Sequence, residues 1–217
     1  MKNNILGLIA VIVSLLAAPA MAGDPAAGEA KAAGCAACHG ADGNSAVAIY
    51  PKLAGLGEKY LAKQLADIKS GERMIPEMIG QLDNMSEQDL DDIAAFYAAK
   101  SRSINGAREL SAEELKAEAV ESNAQFMQIG ENIFRAGNMQ TSVPACIGCH
   151  SPTGAGNAPA GYPALGGQHA DYIEKQLRAF RANMRVNDGE AKVMQGVAAR
   201  LTDREIKAVA NYIAGLH

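Results

Sequence analysis

The sequence predicts an all-α protein made of two tandem copies of one small helical domain, preceded by an export signal. Three observations predict this. The second half of the chain repeats the first in register, each copy closes on an N-capped helix with a single apolar stripe, and no segment reads as a sheet.

Residues 1–22 read as a cleaved signal peptide: Lys2 gives a positive start, Ile5 to Leu16 is apolar, and Ala20-Met21-Ala22 is a small-residue cleavage site. The apolar run is short for a membrane span, and no cysteine near the cut suggests a lipoprotein. The mature chain is expected to be soluble and exported. It divides into an N-terminal domain (23–100), a linker (101–122) and a C-terminal domain (123–217).

The first copy opens on a helical stretch, Pro25 to Gly34, and the second on Asn123 to Ala136, with several extra residues before Cys146. Gly28-Glu29 and Gly130-Glu131 correspond, which predicts a glycine where another helix crosses closely. Middle helices are expected at about Gly57–Ser70 and Gln168–Asn183. The closing helices follow the capping boxes Ser86-x-x-Asp89 and Thr202-x-x-Glu205. Leu90, Ile93, Ala94 and Tyr97, like Ile206, Val209, Ala210 and Ile213, recur at the spacing of one helix face. The linker is polar, rich in Ala and Glu, with room for a short helix.

The repeat also carries the chemistry. Cys35-Ala-Ala-Cys38-His39 matches Cys146-Ile-Gly-Cys149-His150, Gly43 matches Gly154, and Tyr50-Pro51 matches Tyr162-Pro163. Tyr60 with Lys63-Gln64-Leu65 matches Tyr172 with Lys175-Gln176-Leu177, the offset drifting only from 111 to 116 residues along the chain. Two thiols one helical turn apart can reach two vinyl groups on one edge of a haem, and a histidine directly after the second thiol can reach the iron. A thioredoxin-like thiol pair would need a βαβ context that is missing. A shared zinc site is disfavoured because the two Cys pairs lie 111 residues apart in duplicated domains. Structural disulfides would leave the following histidine unexplained twice. Two haem c groups are therefore expected, attached at Cys35, Cys38, Cys146 and Cys149, with His39 and His150 on the irons.

A second axial ligand decides between carrier and catalyst. Of the spare histidines, His169 aligns with Gly57 and His217 ends the chain, so both are read as surface residues. Of Met74, Met78, Met85, Met184 and Met194, only Met78 and Met194 respect the repeat. Each stands eight residues before its capping residue, in an expected loop after the middle helix. A His/Met iron has six ligands and no vacant position, and the thioether favours the ferrous state. Pro51 and Pro163 lie where a backbone carbonyl could accept the other ring N–H of each histidine.

Composition agrees. Tryptophan is absent and aromatic residues make up 5% of the chain, so each half has little bulk for a core and gains from an apolar cofactor. Residues 23–100 carry 7 basic and 12 acidic groups, a net of −5, and residues 126–217 carry 9 and 7, a net of +2. Such a dipole can orient the protein on a partner. No basic cluster points to nucleic acid.

In these motifs, together with Y-P-K-L-A-G, Y-L-A-K-Q-L, L-G-G-Q-H, N-D-G-E and M-Q-G-V-A-A-R-L, the chain resembles the dihaem cytochrome c4 proteins of bacteria. The resemblance spans nearly all of the mature chain. It implies two class I cytochrome c domains with their haem edges close across the interface, Cys35, Cys38, Cys146 and Cys149 in thioether bonds, and His39/Met78 and His150/Met194 on the irons. Two features depart from the family: a shorter segment between Ser70 and Met78, and a longer, more acidic linker. The implied role is a monomeric periplasmic carrier in a respiratory chain, passing electrons from a quinol-oxidising complex toward a terminal oxidase, with peripheral membrane association open. The alternative is the dihaem subunit of a periplasmic dehydrogenase such as a flavocytochrome sulfide dehydrogenase. In neither case does this chain hold a catalytic residue.

Overall fold

The computed structural model describes residues 23–217; the expected signal segment lies outside them. In the first copy, helix α1 (Pro25–Lys31) starts where the Asp24 carboxylate accepts the Ala26 N–H and Pro25 supplies a helical φ. A 3₁₀ turn, Ala32–Cys35, leads into α2 (Ala36–His39), which stops at Gly40. Helix α3 (Glu58–Ser70) ends on a left-handed Gly71, and α4 (Glu87–Ala98) starts at the predicted capping box of Ser86 and Asp89. The second copy repeats the plan with α6 (Asn123–Ala136), α7 (Ile147–His150), α8 (Ala170–Arg181), a short α9 (Val193–Ala198) and α10 (Asp203–Gly215). Thr202 and Glu205 form the predicted box before α10. No strand forms among the described residues beyond two isolated bridges.

The first and last helices of each copy pack together, α1 on α4 and α6 on α10. The matched glycines sit at those crossings. A Cβ on Gly28 would stand 2.0 Å from the Asp92 carbonyl oxygen, and one on Gly130 would stand 2.2 Å from that of Ala208. No other residue lets the backbones approach so closely, as the repeat predicted. Leu56, Leu61, Ile93, Phe96 and Tyr97 fill the first core; Ile133, Phe134, Leu177, Ile206, Val209 and Ile213 fill the second.

The linker is not a free tether. Its helix α5 (Ala112–Ala117) begins at a third capping box, Ser111 with Glu114. On either side of α5, Leu110 and Val120 are buried against Phe126 and Ala208. The Arg108 N–H donates to Asn211 at 2.9 Å, and Lys207 pairs with Glu118. Single apolar residues scattered through an acidic segment show no helical period, so this docking has no signature in the sequence.

Candidate haem sites and the seam between the copies

In each copy the short helix sets the Cys-x-x-Cys-His spacing. Cys35 closes the 3₁₀ turn and Cys38 and His39 end α2; Cys146 caps α7, with Cys149 and His150 at its end. One turn thus separates the two sulfurs and puts each histidine next to the second. All four cysteines are unpaired, and both histidines are 8% exposed. His39 Nδ1 donates to the Pro51 carbonyl at 2.9 Å, and His150 Nδ1 donates to the Pro163 carbonyl at 2.9 Å. The expected proline contacts are therefore present in both copies. A carbonyl can only accept, so the proton is fixed on Nδ1 and the Nε2 lone pair is left to bind a metal. Burial holds both imidazoles below the usual histidine range, against the carbonyl bonds that pull them up, which keeps the rings neutral. Burial also raises the Cys35 thiol, and pushes Cys146 up to about 11. Thiol-redox pairs depend on depressed thiol pKa values, and the raised Cys35 and Cys146 thiols run the opposite way.

The loop after each motif is closed by the matched glycines. The Gly43 carbonyl accepts from Leu53 N at 2.8 Å, and the Gly154 carbonyl accepts from Leu165 N at 2.7 Å. A Cβ on Gly43 would meet Tyr97 at 2.7 Å.

The methionines separate by exposure. Met74 is 67% and Met184 is 79% exposed. Met78 is half-buried on a 3₁₀ turn, Pro76–Met78, and Met194 is half-buried in α9 against the second core. Both were expected in loops; Pro76 and the left-handed Lys192 instead start short helical turns there. Met85 packs against the first core.

Between the copies lies a polar seam that the sequence reading missed. Arg73 donates to Gln64 of its own copy at 2.7 Å, and across the seam to Tyr172 at 3.0 Å and Gln176 at 3.1 Å. Arg185 donates to its own Gln176 at 2.7 Å, and across to Tyr60 at 3.1 Å and Gln64 at 2.9 Å. The repeat contained the signal: the offset of 112 that pairs Tyr60 with Tyr172 and Gln64 with Gln176 also pairs Arg73 with Arg185. Asn187 adds a bond to Asp67 at 2.6 Å. Nearby, Lys52 is 1% exposed and donates to the carbonyls of Ser103 at 2.6 Å and Gly167 at 3.0 Å. Arg102 bonds the carbonyls of Ala54, Ala164 and Gly166, and burial pushes its pKa down to about 10. His169, read as a surface residue, is half-buried here, its Nε2 donating to the Ser45 carbonyl at 2.8 Å. Its partner is 124 residues away, which no local pattern reveals.

Unpaired thiols one turn apart, the second followed directly by a buried imidazole with its Nε2 lone pair available, are the donor set that covalent haem requires. The family model for cytochrome c matches residues 25–98 and 127–217, one match per copy. Cytochrome c4 of Pseudomonas aeruginosa is 48% identical over 215 residues, covering 99% of this chain and all of the relative. The chain belongs to the cytochrome c4 family. Reduced cytochrome c4 from Pseudomonas stutzeri has the same fold, with a TM-score of 0.82 at 46% identity over 90% of this chain and all of that one. A thiosulfate dehydrogenase electron acceptor of Thiomonas intermedia is 38% identical, covering 87% of this chain and 81% of the relative. Like other cytochromes c4, this chain is a dihaem electron-transfer protein, with two tandem cytochrome c domains and two haem c groups attached at its two Cys pairs. No helix among the described residues is long and apolar enough to cross a membrane.

Proposed function

We propose that this protein is a soluble periplasmic carrier, exported by residues 1–22, that shuttles electrons from a quinol-oxidising complex toward a terminal oxidase. Its domains span 23–100 and 123–217, joined by 101–122. Cys35, Cys38, Cys146 and Cys149 hold the haems. His39 with Met78 and His150 with Met194 bind the irons. The carrying observation is that both histidines are buried, neutral and anchored through Nδ1 on a proline carbonyl in the same way in both copies.

An iron held by histidine and methionine takes up and releases one electron at a time. The protein's part is to hold that environment still. The proline carbonyls fix the ring planes, the two cores exclude water, and half-buried Met78 and Met194 occupy repeat-matched positions where Met74 and Met184 are too exposed. His39 with Met78 and His150 with Met194 would hold each iron and leave it no vacant position, so the chain acts as a carrier and has no catalytic residue of its own. It works as a monomer, its partners being redox proteins that meet it on two faces of opposite net charge. The alternative subunit role in a sulfide dehydrogenase is not favoured, since the dehydrogenase-linked relative matches at lower identity than cytochrome c4.

The test is the absorption spectrum of the oxidised protein, paired with its intact mass. The wild type is expected to show two haems and a methionine-to-iron charge-transfer band. Met78→Ala and Met194→Ala should each remove about half of that band while the mass keeps both haems. A full band in either variant would reject that ligand, and a mass lacking the haems would reject the whole reading.

A further inference from the structure

The peptide group between Pro51 and Lys52 is engaged at both ends. Its carbonyl takes the His39 Nδ1–H, and its N–H donates to Oε1 of Gln168 in the other copy at 2.9 Å. Gln168 Nε2 then donates to the Lys52 carbonyl at 2.8 Å, so one amide side chain clamps Lys52 on both sides. Gln168 is 2% exposed and Lys52 1%, which shuts water out of the clamp. The next residue, His169, holds the Ser45 carbonyl, and Ser45 Oγ donates to the Cys38 carbonyl at 2.7 Å. The dipeptide 168–169 therefore grips the loop between Cys38 and Pro51 at two points.

Among the described residues nothing equivalent acts in the opposite direction. At the same repeat offset, Gln168 and His169 correspond to Leu56 and Gly57, which have no polar side chain to offer. Leu56 instead belongs to the core of its own copy. His150 still rests on the Pro163 carbonyl, without a clamp of this kind.

The row Gln168 Oε1, Lys52 N–H, Pro51 C=O, His39 Nδ1–H is a head-to-tail chain of hydrogen bonds in a dry setting, and such chains polarise one another. An acceptor on the N–H pushes electron density onto the Pro51 oxygen. That oxygen then pulls harder on the His39 proton, and the ring becomes a stronger donor through Nε2, which favours the ferric state.

We propose that Gln168 is a positioning residue for the N-terminal haem: it lowers that haem's potential through the Pro51–Lys52 peptide and makes the potential depend on the docking of the second domain. The inference rests on the proposed His39 ligation and deepens it.

The test uses the full-length dihaem protein with Gln168→Met, which keeps length but removes both hydrogen-bonding ends. In a redox titration the N-terminal haem should become easier to reduce. Its reduced-to-oxidised ratio at fixed poise should rise about threefold, or about 28 mV at 59 mV per decade. The C-terminal haem should stay in place, the two being told apart by the Met78→Ala and Met194→Ala variants. Gln168→Glu keeps an accepting oxygen and should cause no such rise. An unmoved N-terminal haem in Q168M, equal shifts of both haems, or a rise in Q168E would each overturn the proposal. Wild-type paramagnetic proton spectra separate this from the ligand assignment. If His39 shows no hyperfine-shifted ring N–H, the ligation itself fails. If that resonance is present and Q168M moves neither it nor the potential, only the clamp fails.

Discussion

Where α1 crosses α4, the residue beneath Gly28 is Asp92; where α6 crosses α10, the residue beneath Gly130 is Ala208. Asp92 accepts from Asp24 N and Gln88 at 2.8 Å each, and pairs with Lys31 at 2.5 Å. Ala208 is fully buried under Leu110, Val120 and Phe126. The backbone geometry of the crossing is the same, yet one copy covers it with ions and the other with an apolar strap drawn from the linker. Close backbone approach fixes the glycine in both copies. It leaves the covering side chains free to differ, provided that buried polar groups find partners.

The largest effect is expected where the copies agree. Gly28→Val and Gly130→Val each place side-chain atoms inside a neighbouring carbonyl, and each should cost about 3 kcal/mol or more in thermal unfolding of the dihaem protein. A mild effect at either site would show that the crossing can open. The next effect should fall on one copy alone. Leu110→Ala removes the buried side chain at the start of the strap and should cost about 2–3 kcal/mol, with hydrogen exchange rising in α6 and α10 but not in α1 and α4. Equal loss of protection in both copies would erase the distinction.

The smallest effect is one of pH. Lys31, Asp24 N and Gln88 hold the Asp92 carboxyl down to about 2, below the roughly 3.9 of an unfolded aspartate. Its contribution is therefore complete above about pH 4 and fades as the pH falls toward 2. Asp89, on the same lysine, is also drawn down by Lys31 and Ser86. In the second copy two acids at the start of α10 are also held down, Asp203 by Arg181 and Arg178 of α8 and the cap residue Glu205, against the burial that pushes it up, by Thr202 and Asn138, and neither pairs with α6. Acid should loosen α1 before α6, and Asp92→Asn should flatten the pH dependence of α1 protection. If α6 opens first, the ionic reading of the first copy is wrong.

What the sequence revealed follows the range of the interactions. The Cys-x-x-Cys-His motifs and the capping boxes of Ser86 and Thr202 are legible because each depends on residues within one or two turns, whereas the crossing glycines, whose partners lie on a distant helix, are legible because the repeat displays them twice. The half-buried methionines were legible only through register. The docking of Leu110 and Val120 was not, because each is one apolar residue among acidic ones. Nor were the roles of Lys52, Arg102, Gln168 and His169. Gln168 bonds Lys52 across 116 residues, and since these four residues are not duplicated, the repeat could not flag them. Arg73 and Arg185 are the exception, present in the register and overlooked because a charged residue near the end of a helix usually faces solvent.

The paired arginines have a consequence for how this chain arose. Arg73 reaches Tyr172 and Gln176 while Arg185 reaches Tyr60 and Gln64, so residue i of one half contacts residue j of the other, and j of the first contacts i of the second. That exchange of identical contacts is the signature of a two-fold interface between two copies of one subunit. The seam has the form of an ancestral homodimer written into a single polypeptide. Within one polypeptide the halves need not be identical, and at the matched positions Gln168 and Leu56 they are not, so the two sites have different surroundings.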